Sequence, residues 1–447
     1  MRPLLNYFPL LITLTIYLPA SLLGLLLFRD REALEFILLI TILTAVYFLT
    51  FNLFSRLYFS IARWLPTSYF HSPWHASANI CILVYCASIG IAIYLTESIP
   101  LVIALEGGSV MDIANSRSLF LAGLEGHASV IRYLVFIMGR SILPLVLLAA
   151  FFYSHPSRHL LLCMMICLSM LSMEKSATIF VLLPIMLYFI CYKFWGRAMG
   201  ALCLLVITVG LMTFLATGGN ERPTMATPAT SETELNPRLP SIPPNMPLQQ
   251  SMGNPLRFSL PHYLNSIHIG FGYSVDPTKL SGKAITLLNR MVWIPYITAY
   301  DWLGFQRTVL HNKLTYGRSI SFIHLIYGEP KMELEKMVYV YEFGASPGGQ
   351  GGSNTAFFVD AKLAFGWLGS IFYCLVFTFC AACIINSGSR VLIFSSVLCF
   401  FIASVSSLTA TLLSGGLFIY VVLAFFIADR EADRQLFPSA PRPSLAQ

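Results

Sequence analysis

The sequence predicts an all-α polytopic membrane protein with about ten transmembrane helices and a large extracytoplasmic loop that contains interfacial helices. Three observations support this fold class. Of the 447 residues, 56% are hydrophobic and only 11% are charged, whereas soluble globular proteins carry about 25% charged residues. Runs of roughly 20 apolar residues, the length needed to cross a bilayer, recur along the chain. A single long polar stretch, 217–359, separates two groups of such runs.

Seven predicted spans lie within residues 1–216, and three more lie within 360–428. The first, 4–28, is too long for the apolar core of a signal peptide, so we expect it to be retained. The apolar stretch 159–192 is interrupted by Glu174-Lys175-Ser176, and we divide it there into two short helices. The remaining spans are expected at 34–54, 77–96, 128–152, 196–216, 361–386, 390–407 and 410–428.

The distribution of Lys and Arg predicts the orientation of the spans, because these residues are enriched in cytoplasmic segments. With both termini placed inside, the inside segments hold ten of these cations and the short outside segments hold four. We therefore expect cytoplasmic termini, a cytoplasmic tail at 429–447 and a long loop, 217–359, on the opposite side. The net charge of +7 reflects these flanking cations, so we predict no nucleic-acid binding.

The long loop has two parts of different composition. Residues 217–255 are rich in Pro, Thr, Ser and Asn, a composition that cannot bury a core and predicts an extended or mobile segment. Residues 256–342 are expected to be partly helical. Within them, 287–305 has apolar residues at near-helical spacing, which is typical of an amphipathic helix at a membrane interface. A second candidate helix covers 306–327.

Ionisable residues within the apolar spans are candidates for function, because their burial in a membrane is costly. Arg140 lies near the middle of the fourth span, and Arg132 precedes it by eight residues on a similar helical face. Lys175 lies at the outer end of two short helices, where a cation beside a helix N-terminus attracts phosphate oxygens. The structural alternatives are an ion pair or carbonyl clamp for Arg140, headgroup contact for Arg132 and a polar turn for Lys175.

Arginines in the segments expected outside form a candidate clamp for a pyrophosphate. A guanidinium makes bidentate contacts to phosphate, which suits it to this role. Taken singly, each is better explained as a solvated surface charge, and the clamp is predicted only for the set. The residues are Arg117, Arg290, Arg307 and Arg318.

Histidine and carboxylate side chains in the same segments are candidates for proton transfer. His311 is a candidate general base, because the pKa of histidine lies near neutrality. Asp360 opens the eighth span as a candidate carboxylate or as a helix-end charge. The histidines match no metal-binding spacing, hydrolase and zinc-protease motifs are absent from the sequence, and all ten Cys lie in or beside apolar spans. We therefore predict no metal site, no cofactor and no disulfide framework.

Four features of the sequence match a known family. They are the late outside loop, Asn115-Ser116-Arg117 ahead of a span, the turn Ser172-Met173-Glu174-Lys175-Ser176, and Gly351-Gly352-Ser353-Asn354-Thr355 followed by Asp360 and Phe365-Gly366-Trp367-Leu368-Gly369. In these features the chain resembles the Wzy-type polymerases of O-antigen and other repeat-unit polysaccharides, and it shares the polar turn with the related O-antigen ligases.

The resemblance implies a metal-independent glycosyltransferase of the membrane-embedded GT-C type in the bacterial inner membrane, with its long loop in the periplasm. Its substrates would be undecaprenyl-diphosphate-linked glycans, one of which donates its chain to the non-reducing end of another. Membrane lipids, a flippase and a chain-length regulator are its candidate partners. The candidate catalytic residues are Arg140, Lys175, Arg290, His311 and Asp360. The candidate residues for binding diphosphate or glycan are Arg117, Arg132, Arg307 and Arg318.

Three other functions remain compatible with the sequence. An O-antigen ligase, which moves the finished glycan onto lipid A-core, shares the same plan. A lipid or polysaccharide transporter would show broken helices at the membrane midplane and an internal repeat, and the sequence shows no such repeat. A non-catalytic assembly protein is the third alternative.

Overall fold

The computed structural model divides the chain into two compact units, each assembled from separate segments. The first unit comprises Met1–Phe51, Ala226–Thr378 and Ala403–Thr409. The second comprises Asn52–Met225, Phe379–Ile402 and Ala410–Gln447. The structure describes residues 2–65, 74–96, 99–108, 112–113, 116, 120, 124, 128–173, 175–216, 267–269, 273–275, 292–320, 323, 328, 331–343 and 352–427.

The described residues are mainly helical. Before the long loop the helices are α1 Arg2–Phe28, α2 Arg31–Ala62, α3 Trp74–Thr96, α4 Pro100–Leu105, α5 Ser129–Ile137, α6 Leu143–Phe152, α7 Arg158–Leu171, α8 Lys175–Cys191 and α9 Trp195–Ala216. Later in the chain they are α10 Ile294–Thr308, α11 Leu334–Phe343, α12 Phe357–Asn386, α13 Arg390–Val405, α14 Leu408–Leu413 and α15 Leu417–Phe426.

The chain is a membrane-embedded helical protein. Within the described ranges, six helices are long and apolar enough to cross a membrane. They are Leu5–Phe28, Arg31–Ala62, Ser77–Thr96, Val130–Phe152, Trp195–Leu215 and Phe357–Asn386. Four shorter apolar helices of 10–17 residues, α7, α8, α13 and α15, overlap the other predicted spans. The single span predicted at 410–428 is divided, because α14 ends at Leu413 and α15 begins at Leu417 after Gly416 with φ 74°. The total of ten crossings and the side of the membrane that the long loop occupies stay predictions.

The polar interruption near residue 174 separates two helices, since α7 ends at Leu171 and α8 begins at Lys175. Residues 217–255, which the composition predicts to be mobile, lie outside the described part of the chain. Within 256–342 the structure adds a feature that the all-α prediction missed, an antiparallel hairpin of β1 Ile267–Ile269 and β2 Tyr273–Val275. Its sequence indication is two short runs rich in β-branched and aromatic residues, separated by Gly270-Phe271-Gly272.

The helix expected at 287–305 corresponds in its second half to α10, but its environment differs from the prediction. Tyr296, Ala299, Trp302 and Phe305 are at most 2% exposed. The protein itself covers these apolar side chains, so α10 is an internal helix of the first unit, packed against α1 and α11. The position of the segment at a membrane interface stays a prediction. Because a helix that is apolar on one face buries that face against whatever is nearest, periodicity alone did not separate protein from lipid as the partner.

The second helix expected in the loop, at 306–327, is not formed over its described residues 309–320. This segment is a series of turns, in which His311, Asn312 and Tyr316 have φ angles of 51°, 61° and 50°. Such left-handed residues interrupt any continuous helix. The prediction of a helix over 309–320 was wrong, because the backbone there forms turns and the N–H groups of Thr315 and Tyr316 bond to carbonyl groups of another element, those of Leu363 and Ala364.

Helix α12 is broken near its start. Gly366 has φ 72° and ψ −161°, a combination open essentially to glycine alone. The break leaves a first half-helix, 357–365, followed by an apolar helix that continues to Asn386. The carbonyl groups of Leu363 and Ala364 at the end of the half-helix accept hydrogen bonds from the backbone N–H groups of Thr315 and Tyr316, at 3.0 and 2.9 Å. The turn segment therefore satisfies the acceptors that the break exposes.

The N-terminus of α2 is held by ion pairs and hydrogen bonds within the first unit. Asp30 accepts a hydrogen bond from the backbone N–H of Ala33 at 3.0 Å and another from the hydroxyl of Tyr300. These contacts stabilise the helix start, because carboxylates there interact favourably with the helix dipole.

Two cations complete this arrangement. Arg307 of α10 pairs with Glu32 at 2.7 Å. Lys362 of the half-helix pairs with Glu35, also at 2.7 Å, and donates to the side-chain oxygen of Gln306 at 3.3 Å. The start of α2 thus fixes both α10 and the half-helix in place.

In the second unit, α5 and α6 are joined by a π-helical turn, Met138–Ile142. Widened turns of this kind are often found at functional sites. The Ser141 hydroxyl donates to the carbonyl of Gly415 at 3.1 Å, and its own carbonyl accepts from the Tyr420 hydroxyl at 2.9 Å. The irregular turn is therefore stabilised by the segment around α15.

Candidate functional site

A cavity of about 160 Å³ lies in the first unit, beside the start of the half-helix. Its deep wall includes Asp360 and Thr355, each only 4% exposed, and Trp302, which is 2% exposed. Ser407 and Thr409, before and at the start of α14, add hydroxyl groups to the lining. The cavity therefore combines a buried carboxylate, several hydroxyls and an indole, a mixture suited to a ligand that is rich in hydrogen-bonding groups.

Charged side chains surround the mouth of the cavity. Lys331, Glu333, Glu335 and Lys336 all line it and are exposed. Lys336 pairs with Glu333 at 2.8 Å. The mouth thus carries both signs of charge, whereas Asp360 is the ionisable residue of the deep wall.

Glu335 connects the mouth to the interior. Its carboxyl end lies beside Gly352, and it is close enough to Asp360 for the two charges to repel. Desolvation of this end raises the pKa of Glu335, nearby Lys331 lowers it, and Glu333 raises it further. Because the side chain as a whole remains exposed, its desolvation is partial.

Asp360 occupies its position because of the local helix geometry. It lies in the first turn of α12, where a carboxylate interacts favourably with the helix dipole. Its backbone N–H donates to the carbonyl of Ala356 at 3.0 Å. The role of a helix-end charge and that of a cavity residue are therefore compatible, since the same turn that favours the charge also presents it to the cavity.

A set of hydrogen bonds holds the wall opposite the half-helix. The Ser353 hydroxyl donates to Glu342 at 2.6 Å and accepts from the indole N–H of Trp302 at 3.3 Å. The backbone N–H of Ser353 donates to the carbonyl of Glu335 at 2.9 Å. These bonds join α10, α11 and the segment before α12, so Trp302 is oriented by Ser353, which the Glu342 side chain and the Glu335 carbonyl of α11 hold in turn.

Three other predicted residues belong to the first unit. Arg318 adjoins a lining residue of the cavity, whereas Arg307 and His311 do not line it. Arg318 is half-buried, its carbonyl accepts from the N–H of Met332 at 3.0 Å, and its neighbour Ser319 lines the cavity. Arg307 is paired with Glu32, and its buried Nη2 atom has no hydrogen-bond partner among the described residues. His311 is exposed in the turn after α10.

The remaining predicted residues belong to the second unit or lie outside the described ranges. Arg132 is half-buried, 5.3 Å from the ring centre of Tyr133. Arg140 lies in the π-helical turn, 4.5 Å from the ring centre of Phe136, which is a cation–π distance. Lys175 begins α8, as expected for a cation at a helix N-terminus, and its side chain is outside the described part of the structure. Arg117 and Arg290 also lie outside the described residues.

Several residues of the cavity and its support were missed from the sequence. Trp302 was noted only as an apolar position, Thr355 appeared only as the last residue of the motif Gly351–Thr355, and Glu335 and Lys362 were not singled out. Lys362 follows Asp360 by two residues in an apolar run, so the cost of burying a second charge there could have identified it. Nothing in the sequence could have paired it with Glu35, which is 327 residues away.

Comparisons with models of protein families, with curated proteins and with solved structures find no match to this chain. Within the part of the chain that the structure describes, no three His, Cys, Asp or Glu residues are grouped so as to hold a metal ion.

Proposed function

We propose that the protein polymerises undecaprenyl-diphosphate-linked oligosaccharide repeat units into a surface polysaccharide, at the periplasmic face of a bacterial inner membrane. The observation that carries this proposal is the cavity in which Asp360 and Thr355 are buried beside Trp302. A carboxylate, hydroxyls and an indole are the groups that a sugar-transferring site needs, and here they lie in a protein with membrane-crossing helices. A lipid-linked glycan requires both features in one molecule.

In the proposed reaction, Asp360 acts as the general base. The acceptor's sugar hydroxyl attacks the anomeric carbon of the donor glycan, and its proton passes to the Asp360 carboxylate. A new carbon–oxygen bond forms while the bond from the anomeric carbon to the diphosphate breaks. The bonding electrons leave with undecaprenyl diphosphate, whose growing charge fixed cations stabilise. The candidate cations are Lys331 and Lys336 at the mouth of this cavity, and Arg318, which precedes the lining residue Ser319.

A transporter of lipid-linked glycans is the second candidate, favoured by one observation. Helix α12 is broken at Gly366, and interrupted helices with ionisable residues beside the break are typical of transporter binding sites. In that case Asp360 and Thr355 would bind the glycan during passage without catalysing transfer. The two candidates differ in whether a glycosidic bond is formed.

The deciding experiment is reconstitution of the purified full chain in liposomes with undecaprenyl-diphosphate-linked repeat units alone. We expect a ladder of products that differ by one repeat unit. Asp360→Asn keeps the size of the side chain but cannot accept the proton, so it should abolish the ladder. The matched control is Glu106→Gln, which neutralises an exposed carboxylate at the end of α4 and should leave the ladder unchanged.

Other outcomes discriminate among the alternatives. Movement of the glycan across the liposome membrane without a ladder would favour the transporter. In cells, deletion of the gene that left long lipid-linked chains unattached would indicate a ligase, whereas accumulation of single-repeat product supports the polymerase. A normal ladder on cells that lack the gene would refute the proposed function.

A further inference from the structure

The deep wall of the cavity presents an unused hydrogen-bonding group. The Thr355 hydroxyl is buried and has no hydrogen-bond partner within the described residues, although it lines the cavity together with Asp360. A buried polar atom without a partner costs stability. Its retention beside a carboxylate is explained if a ligand supplies the missing hydrogen bond.

The chemistry of the deep wall selects the kind of ligand. Thr355 can both donate and accept, Asp360 accepts when ionised, and Trp302 offers an apolar surface at the same cavity. A ring that carries hydroxyl groups on an otherwise apolar frame satisfies all three residues. A cavity of about 150 Å³ is known to hold benzene, so the 160 Å³ here accommodates a ring of that size, and the substituents of a sugar ring would extend towards the mouth.

The charges of the cavity also exclude one class of sugar. Asp360 is the ionisable group of the deep wall, and Glu335 acts on it electrostatically from the mouth. The lysines that line the cavity, Lys331 and Lys336, are exposed at the mouth. A sugar carboxylate in the deep part would therefore be buried beside Asp360 without a cation among the described lining residues to pair with it, which is costly.

We propose that this cavity is a subsite for a single uncharged sugar ring, hydrogen-bonded by Thr355 and Asp360, and that it rejects hexuronic acids. This inference rests on the proposed function for the source of the ring, which is the terminal sugar of the acceptor glycan. The subsite thus makes the non-reducing end of the repeat unit a determinant of specificity.

Direct binding to the purified full chain tests the subsite without any need for turnover. The probes are glucose, galactose, mannose, N-acetylglucosamine, glucuronic acid and galacturonic acid, measured by saturation-transfer NMR in detergent. We expect at least one uncharged sugar to bind and both uronic acids not to bind. Thr355→Val should weaken that binding about tenfold, the loss that accompanies removal of one hydrogen bond.

Thr355→Val also has a structural signature that separates binding from folding. Valine has a similar shape and removes the unpartnered hydroxyl, so the melting temperature should be unchanged or higher. The matched control is Thr308→Val in α10, whose hydroxyl donates to the carbonyl of Gly304 at 2.8 Å, outside the cavity. This control should leave sugar binding unchanged.

The outcomes distinguish the subsite from the proposed function. Absence of binding by every uncharged sugar, equal binding of uronic acids, or unchanged binding by Thr355→Val would each overturn the subsite, while a ladder in liposomes would still support the polymerase. Displacement of the monosaccharide by a lipid-linked repeat unit supports the acceptor as the source of the ring. Failure to compete would overturn that assignment and leave free sugar as the ligand.

Discussion

Asp360 and Lys362 are separated by one residue yet serve different partners. Asp360 lines the cavity, whereas the Lys362 ammonium pairs with Glu35 and lies 5.2 Å from the ring centre of Trp367. Residues two apart on a helix do not face each other. The same helical turn can therefore direct the Asp360 carboxylate to the cavity and the Lys362 ammonium to Glu35. The pair with Glu35 anchors the half-helix that also carries Asp360. Because removing one partner of a buried ion pair is strongly destabilising, we infer that Lys362 is a positioning residue for Asp360.

Asp360 could be named as a candidate from the sequence, because an ionisable residue in an apolar span is costly, but the same position also suits a helix-end charge. Its proximity to Thr355 and Trp302 could not be predicted. Thr355 was visible only within the motif Gly351–Thr355 and Trp302 only as an apolar residue, and both reach the cavity through the folding of α10, α11 and the segment before α12. Chemistry that depends on a rare residue type is visible in sequence, whereas chemistry that depends on which ordinary residues meet is not.

The first prediction at the residue scale concerns Arg140 and Lys175. We expect Arg140→Ala and Lys175→Ala each to reduce polymer formation by a factor of about 100 or more, the loss typical when a group that stabilises developing charge is removed. The measurement is the product ladder in membranes, with the amount of protein determined by immunoblot. Full activity of both variants at normal protein levels would show that neither cation stabilises the leaving diphosphate.

At the scale of elements, the break in α12 is the feature with the clearest physical cause. A Cβ atom at Gly366 would be 3.8 Å from the nearest atoms, those of Leu314, which is ordinary van der Waals contact. The requirement for glycine is therefore conformational, set by φ 72°. The motif Phe365-Gly366-Trp367 was visible in the sequence, but a glycine inside an apolar run does not reveal whether the helix continues through it.

Gly366→Ala should accordingly destabilise the first unit by about 1–3 kcal/mol, the cost of a non-glycine residue in this region of φ and ψ. The measurement is thermal unfolding of the purified protein in detergent. Gly210→Ala is the matched control, because Gly210 lies within α9 with open space at the position that an alanine methyl group would occupy, and alanine favours helix. A Gly366→Ala protein as stable as the Gly210→Ala control would show that the break can close without cost.

The positions of the long helices were the most predictable elements. Leu5–Phe28, Ser77–Thr96, Val130–Phe152 and Trp195–Leu215 follow the predicted boundaries closely, because about 20 consecutive apolar residues leave few alternatives to a membrane helix. Helix α10 was less predictable, since its apolar side chains are equally suited to lipid and to protein. The environment of that face is decided by α1 and α11, which are distant in the sequence.

At the scale of the whole molecule, the orientation in the membrane is open to direct measurement. The excess of Lys and Arg predicts cytoplasmic termini. Alkaline phosphatase, which needs disulfides that form outside the cytoplasm, should be inactive when fused after Gln447 and active when inserted after Pro237 in the long loop. Green fluorescent protein at Gln447 should fluoresce as the positive control. An active phosphatase at Gln447 would reverse the predicted orientation.

The contacts at the start of α2 join residues that are synthesised at very different times, which affects the order in which the fold is completed. Asp30, Glu32 and Glu35 emerge early, but Tyr300, Arg307 and Lys362 are synthesised much later. At roughly 5–20 residues per second, the ribosome needs roughly 20–70 seconds to reach Lys362 after Asp30 has been made. During that interval Asp30 and Glu35 keep only their local contacts, with the N–H of Ala33 and with Arg31, and Glu32 is without Arg307. Lys362, which holds the half-helix of Asp360, is the last of these three partners to be made, and the lining residues Ser407 and Thr409 follow it, so the cavity can be completed only late in biogenesis.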